Sequence, residues 1–150
     1  MKICFICHAN ICRSFMAQEF LKKLINDDGR KDIDVISRGT YVLSNFSVPQ
    51  KIKDFLKENK IEYSHHTPMQ YAKEDLDSSN FIFVMTKDQL KLINDKYAQF
   101  SDKTYLFMDF CFGKNQDMQD PIDKKGSSFN KIAAEIKESV SVLYNRIKTI

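Results

Sequence analysis

Residues 7 to 14 read Cys7-His8-Ala9-Asn10-Ile11-Cys12-Arg13-Ser14, a thiol and a guanidinium separated by five residues. The octet follows a short apolar run, Lys2 to Ile6. It precedes a stretch in which Met16, Ala17, Phe20, Leu21 and Leu24 recur at helical spacing, with Gln18, Glu19, Lys22 and Lys23 between them. The run predicts a buried strand and the stretch an amphipathic helix with one buried face. Ser14 is expected to cap that helix. A loop that ends at a helix N-terminus offers unpaired backbone N–H groups and the positive end of a dipole, which together attract an anion. The fork of Arg13 fits two oxygens of a phosphate or related oxyanion. The same positive field favours a thiolate over a thiol at Cys7. A thiolate facing a bound phosphate ester can attack phosphorus in line, with Arg13 and the loop amides stabilising the equatorial oxygens. A buried cysteine is otherwise most often a small hydrophobe. Strand, loop and helix in sequence give Cys7 its chemical reading.

Four elements must position that loop. Strands are predicted near Lys2–Ile6, Ile33–Ser37, Phe81–Met85 and Thr104–Met108. Between them run helices from Phe15, near Pro49–Asn59, and near Lys87–Asp95. A final helix places Phe129, Ile132, Ala133, Ile136, Val140, Leu143, Tyr144 and Ile147 on one face. Short apolar strands alternating with helices predict an α/β fold: one domain over residues 1–150, with a four-stranded parallel sheet and helices on both faces. Ligands in such folds bind beyond the carboxyl ends of the strands, which is where Cys7 lies.

The octet resembles the signature of the low-molecular-weight protein tyrosine phosphatases, Cys-x-Gly-Asn-x-Cys-Arg-Ser-Pro. It matches at Cys7, Asn10, Cys12, Arg13 and Ser14, and departs at Ala9 and Phe15. Further landmarks follow in the family's order. Ile36-Ser37-Arg38-Gly39-Thr40 looks like Ser-Ala-Gly-Thr. Ser64 to Gln70 resembles His-x-Ala-Arg-Gln without its Arg, and Asp120-Pro121 stands where the family has Asp-Pro-Tyr. The resemblance implies a flavodoxin-like fold and hydrolysis of phosphotyrosine through a cysteinyl-phosphate. Cys7 is then nucleophile, Arg13 phosphate ligand and Asp120 general acid, then base. Residues 8 to 14 form the phosphate-binding loop, which implies that inorganic phosphate or other oxyanions also bind there. Asn10, Ser14, Ser37 and a histidine are implied to brace it. Spacing to Gln70 favours His66 and spacing from Ile61 favours His65; His66 is taken.

Ile122 and Asp123 replace the aromatic residues usual after Asp-Pro. Ile122 is expected to wall the substrate pocket, with Tyr41 and His8 on the opposite rim, while Asp123 adds charge at the mouth and removes a candidate tyrosine for phosphorylation. Asp109, Asp117 and Asp123 lie near Asp120, and only its place before Pro121 selects it. The resemblance also implies a protective Cys7–Cys12 disulfide after oxidation; Cys4 and Cys111 look structural.

Two enzymes on the same fold compete. An arsenate reductase needs extra cysteines after the third strand, and residues 81 to 100 contain none. A protein-arginine phosphatase of this family carries Thr where this chain has Ile11, which favours tyrosine. A phosphate-binding module without turnover is the non-enzymatic alternative, suggested by Ala9, Ile122 and Asp123.

Net charge is +3, with Lys and Arg dispersed among Asp and Glu, so no nucleic-acid footprint is expected. No stretch is long and apolar enough for a membrane helix, and no signal pattern opens the sequence. With a reactive cysteine these point to a reducing cytoplasm. The four cysteines lack zinc spacing. No metal or cofactor is expected. The resemblance implies that the partner is a tyrosine-phosphorylated protein, and the chain is expected to be a monomer or weak oligomer.

Overall fold

Alternation in the first apolar run decides how the layers assemble. In the computed structural model, which describes residues 1–63 and 65–150, β1 spans Lys2–Cys7. Its Ile3, Phe5 and Cys7 face one core, while Cys4 and Ile6 face another. Both faces are therefore apolar, as a parallel strand covered on both sides requires. β2 (Asp34–Gly39), β3 (Phe81–Val84) and β4 (Thr104–Leu106) complete a parallel sheet in the order β2-β1-β3-β4.

The larger core packs α1 (Arg13–Asp27), α2 (Gln50–Glu58), α5 (Phe107–Phe112) and α6 (Gly126–Ile147) around Ile3 and Phe5. Aromatic rings fill its centre: Phe5 lies 5.8 Å from Phe83 and 5.4 Å from Phe107 between centroids. The smaller core lies under α3 (Lys73–Ser78), α4 (Lys87–Lys96) and a 3-10 turn at Ala98–Lys103, with Leu76, Ile93 and Phe100 inward. All eight apolar residues expected on one face of the last helix are buried in α6.

Two elements differ from expectation. The strand predicted to Met108 stops at Leu106, because Phe107, Met108 and Cys111 follow the one-three-four spacing of a helix and are buried on that face. Gly113, at φ 66°, ends that helix in a left-handed cap. α3, unforeseen in the sequence, is tied to the sheet by Asp75. Its carboxylate accepts from Ala72 N at 3.0 Å and from Arg38 Nε at 2.9 Å.

β1 has β2 on one side and β3 on the other, so its carboxyl end is the point where the strand order reverses. The first crossover leaves from there through residues 8 to 12. This is the crevice in which open α/β sheets bind ligands.

Candidate active site

The loop after β1 is shaped by one residue. Asn10 is fully buried and sits at φ 59°, a left-handed conformation that Asn tolerates better than most residues. Ala9 is not among the residues at positive φ, so the family's usual glycine is not needed there for backbone freedom. The Asn10 amide donates to Ser14 Oγ at 2.8 Å and to Ser37 Oγ at 2.9 Å. Its side-chain oxygen accepts from Met69 N at 3.0 Å, and its backbone carbonyl accepts from His66 Nε2 at 2.8 Å. His65 instead faces Thr67 Oγ1 at 2.8 Å. His66 stacks on Phe15 with centroids 4.1 Å apart, and burial holds its imidazole below the usual histidine range. Ser64, part of the matched segment, lies outside the described residues.

Ser14 does not cap α1. The helix begins at Arg13 with Cys12 in the cap position, and no side chain makes a capping bond. The Ser14 hydroxyl is occupied elsewhere: it lies 2.9 Å from Cys7 Sγ, receives the Asn10 amide, and donates to Arg38 O at 3.3 Å. Cys7 is 3% exposed and held at the end of β1, opposite Gly39.

Gly39 permits a close approach that the sequence did not single out as functional. A Cβ there would stand 2.7 Å from His8 O, 3.2 Å from the carbonyl carbon of Ala9 and 2.5 Å from Val42 Cγ2. β2 thus ends against the backbone of the loop. The next residues donate back to it, Thr40 N to Cys7 O at 2.9 Å and Tyr41 N to His8 O at 2.8 Å. Gln70 holds this segment from outside, donating to Thr40 O at 2.8 Å and accepting from Val42 N at 3.1 Å.

One pocket is lined by Cys7, Ala9, Ile11, Cys12, Arg13, Asp120 and Ile122. Of the four candidate acids, only Asp120 enters it. Its Oδ2 accepts from Arg13 Nη2 at 3.4 Å and its Oδ1 from Ile122 N at 3.1 Å. Arg13 is nearly buried, and its Nη1 donates to Met118 O at 2.9 Å. Asp117 accepts from Lys87 N at 2.8 Å, and Asp109 belongs to α5. Asp123 lines an adjoining groove with Arg13, Thr86, Asp117, Asp120 and Lys124 rather than the thiol pocket. Tyr41 and His8 stack at 5.5 Å between centroids and are both exposed, as is Ile122. A wider groove along α2, lined by Lys53, Lys57 and Tyr63, shares no residue with the thiol pocket.

Burial pushes Cys4 and Cys111 up to about 12. It also raises Cys12, with the Asp120 and Cys7 charges adding to the effect. Among the described residues no group of three His, Cys, Asp or Glu side chains is placed to hold a metal ion.

A nucleophile, a guanidinium and an acid around one small cleft are the parts needed to transfer a phosphoryl group. The family described as low molecular weight phosphotyrosine protein phosphatase matches residues 2–149. A protein-arginine-phosphatase of Bacillus subtilis is 24% identical over 99% of this chain and 97% of its own. The low molecular weight phosphotyrosine protein phosphatase of Rattus norvegicus is 26% identical over 87% of this chain and 85% of its own. The crystal structure of the low molecular weight protein tyrosine phosphatase from T. tengcongensis superposes with a TM-score of 0.90 at 24% identity, covering 98% of this chain and 99% of that one.

Proposed function

This chain belongs to the low molecular weight phosphotyrosine protein phosphatase family, and from that premise we propose that it hydrolyses phosphotyrosine in proteins through a cysteinyl-phosphate on Cys7. The observation that carries this reading is that Cys7, Arg13 and Asp120 line one pocket together. The phosphate dianion enters the loop at the start of α1 and is gripped by the Arg13 fork and the backbone N–H groups. Cys7 Sγ attacks phosphorus. The S–P bond forms as the P–O bond to the phenol breaks, and Asp120 gives its proton to the departing oxygen. Asp120, now a carboxylate, takes a proton from water as that water attacks phosphorus and the S–P bond breaks. The Ser14 hydroxyl, 2.9 Å from Cys7 Sγ, stabilises the thiolate that leaves. No metal is required, because Arg13 and the amides supply the positive charge.

The bracing roles of Asn10, Ser37 and His66 follow from their bonds around the loop. Ile11 and Ile122 line the pocket with apolar surface that suits a phenol ring; the exposed, stacked pair Tyr41 and His8 is outside that lining and is assigned to the rim. Cys7 and Cys12 are both in the pocket lining, which supports a disulfide between them as a protective state. The enzyme works in the cytoplasm as a monomer or weak oligomer; among the described residues no helix is long and apolar enough to cross a membrane.

A second reading is a protein-arginine phosphatase, the activity named for the Bacillus subtilis relative. Hydrolysis of p-nitrophenyl phosphate, phosphotyrosine and phosphoarginine separates the two. The tyrosine reading requires that phosphotyrosine be turned over faster than phosphoarginine, that Cys7→Ser abolish turnover, and that Asp120→Ala lower it by about 10²-fold or more. Preference for phosphoarginine overturns the substrate, and turnover in Cys7→Ser overturns the mechanism.

A further inference from the structure

The segment carrying Asp120 is held at both ends. On its leading side, Met118 N donates to Met85 O at 2.8 Å, Met118 O accepts from Arg13, and Asp117 accepts from Lys87 N. Those bonds tie residues 117 and 118 to the end of β3, the phosphate loop and the start of α4. On the trailing side, residues 121 to 124 turn back on themselves, with Lys124 N donating to Pro121 O at 3.0 Å. This turn presents two carbonyls to one ammonium. Lys51 Nζ donates to Ile122 O and, at 2.8 Å, to Lys124 O. Its remaining face lies over the Phe129 ring, 5.4 Å from the centroid.

Lys51 stands in the first turn of α2, where no acidic residue offsets it. A cation is disfavoured there by the helix dipole, so the carbonyls must supply what the helix does not. α2 is a rigid base for this contact: Ile52 and Leu56 are fully buried, and Phe55 packs edge-on against Phe20 and Phe129 at 5.9 Å and 6.1 Å. The ammonium therefore links a fixed helix to the backbone on either side of Asp123, two residues beyond the Asp120-Pro121 pair.

We propose that Lys51 is a positioning residue for the acid segment, fixing the Asp120 carboxyl and the Ile122 wall relative to Cys7. This rests on the reading of Asp120 as the proton donor. Lys51 makes no hydrogen bond to the phosphate loop among the described residues, although its charge reaches Cys12; it acts on Asp120 through the two carbonyls. Without it, Ile122 O and Lys124 O turn to water, and among the described residues the trailing half of the segment keeps only its internal bonds, Lys124 N to Pro121 O and Ile122 N to Asp120 Oδ1.

The test exploits the leaving group. A poor leaving group, the phenol of phosphotyrosine, needs the proton; p-nitrophenolate needs it little. Lys51→Met, which keeps the stem and removes the donors, is expected to lower kcat/KM for phosphotyrosine about 10-fold, because small misplacements of a catalytic group cost rate steeply. For p-nitrophenyl phosphate kcat/KM, which reports only the steps up to loss of the leaving group, should stay within about 2-fold, as should inhibition by inorganic phosphate, because Lys51 makes no hydrogen bond to the phosphate loop. Lys51→Arg, which restores two donors, is expected to recover most of the loss. Lys51→Gln serves as a second truncation should Lys51→Met fold poorly, with the same split between substrates expected. An equal fall in kcat/KM for both esters, or no fall for phosphotyrosine, overturns the role of Lys51 alone. A wild type inert toward both esters overturns the assignment of Asp120, and this proposal with it.

Discussion

Replacing Asn10 by Ala should damage the protein more than any other single change in the loop, and its cost can be assembled from the contacts. The amide donates to Ser14 and Ser37 and accepts from Met69 N. Ser14 keeps Cys7 and Arg38 as neighbours and loses little. Ser37 Oγ, in a residue 1% exposed, has no other partner among the described residues, and stranding a buried hydroxyl costs about 1–3 kcal/mol. Met69 is partly exposed, so water recovers its N–H and that loss is about 0.5–1 kcal/mol. The left-handed backbone at φ 59° adds about 1 kcal/mol when Ala replaces Asn. The sum is about 2.5–5 kcal/mol, which for a chain of this size lowers the midpoint of thermal unfolding by about 5–20 °C. Calorimetry and urea titration measure it directly. Asn10→Gly removes the same hydrogen bonds without the backbone strain, so it should be less destabilised than Asn10→Ala by about 1 kcal/mol. Both variants should lose aryl-phosphate hydrolysis, because the amides that face the phosphate are set by this residue. An Asn10→Ala protein within about 0.5 kcal/mol of wild type, a range typical of inert surface changes, would refute the reasoning that the loop is organised around Asn10.

Two further outcomes follow from the same geometry. Gly39→Ala puts a methyl group 2.7 Å from His8 O and 3.2 Å from the Ala9 carbonyl carbon; it should cost about 1–3 kcal/mol and lower kcat/KM, and unchanged kinetics would mean that the loop can retreat freely. His66 has its folded-state affinity for a proton depressed, chiefly by burial; its contribution is therefore intact above the ordinary histidine range and lost as pH falls through and below about 6.5. Urea midpoints at pH 7.5 and pH 5 should differ less in His66→Gln than in wild type, and an equal difference would remove His66 from the acid response.

Much of the framework was legible because its signals are local. The apolar run at Lys2–Ile6, the spacing on α6 and the alternation of strands with helices each reflect burial on a defined face, and such patterns survive in one dimension. Cys7 and Arg13 were legible for the same reason: a strand, a tight loop and a helix start lie within a dozen residues. The first two residues of α5, Phe107 and Met108, read as strand because Phe and Met suit both states, and only the core on one side of Phe107, Met108 and Cys111 decides between them. Ser14 was misread as a cap because the competing partners of its hydroxyl, Asn10 and the Arg38 carbonyl, are brought together by the loop's left-handed turn and by β2.

The distinction is sharpest around the acid. The sequence by itself determined that a thiol would stand at a strand end beside a guanidinium, since those residues are neighbours along the chain. Only the tertiary structure decided which of four aspartates faces that thiol, which of two histidines braces the loop, and that Lys51 grips a turn some seventy residues away. Those choices depend on contacts between distant segments, and such contacts exist only once the sheet has set the register between β1, β2 and β3 and the helices have packed against it.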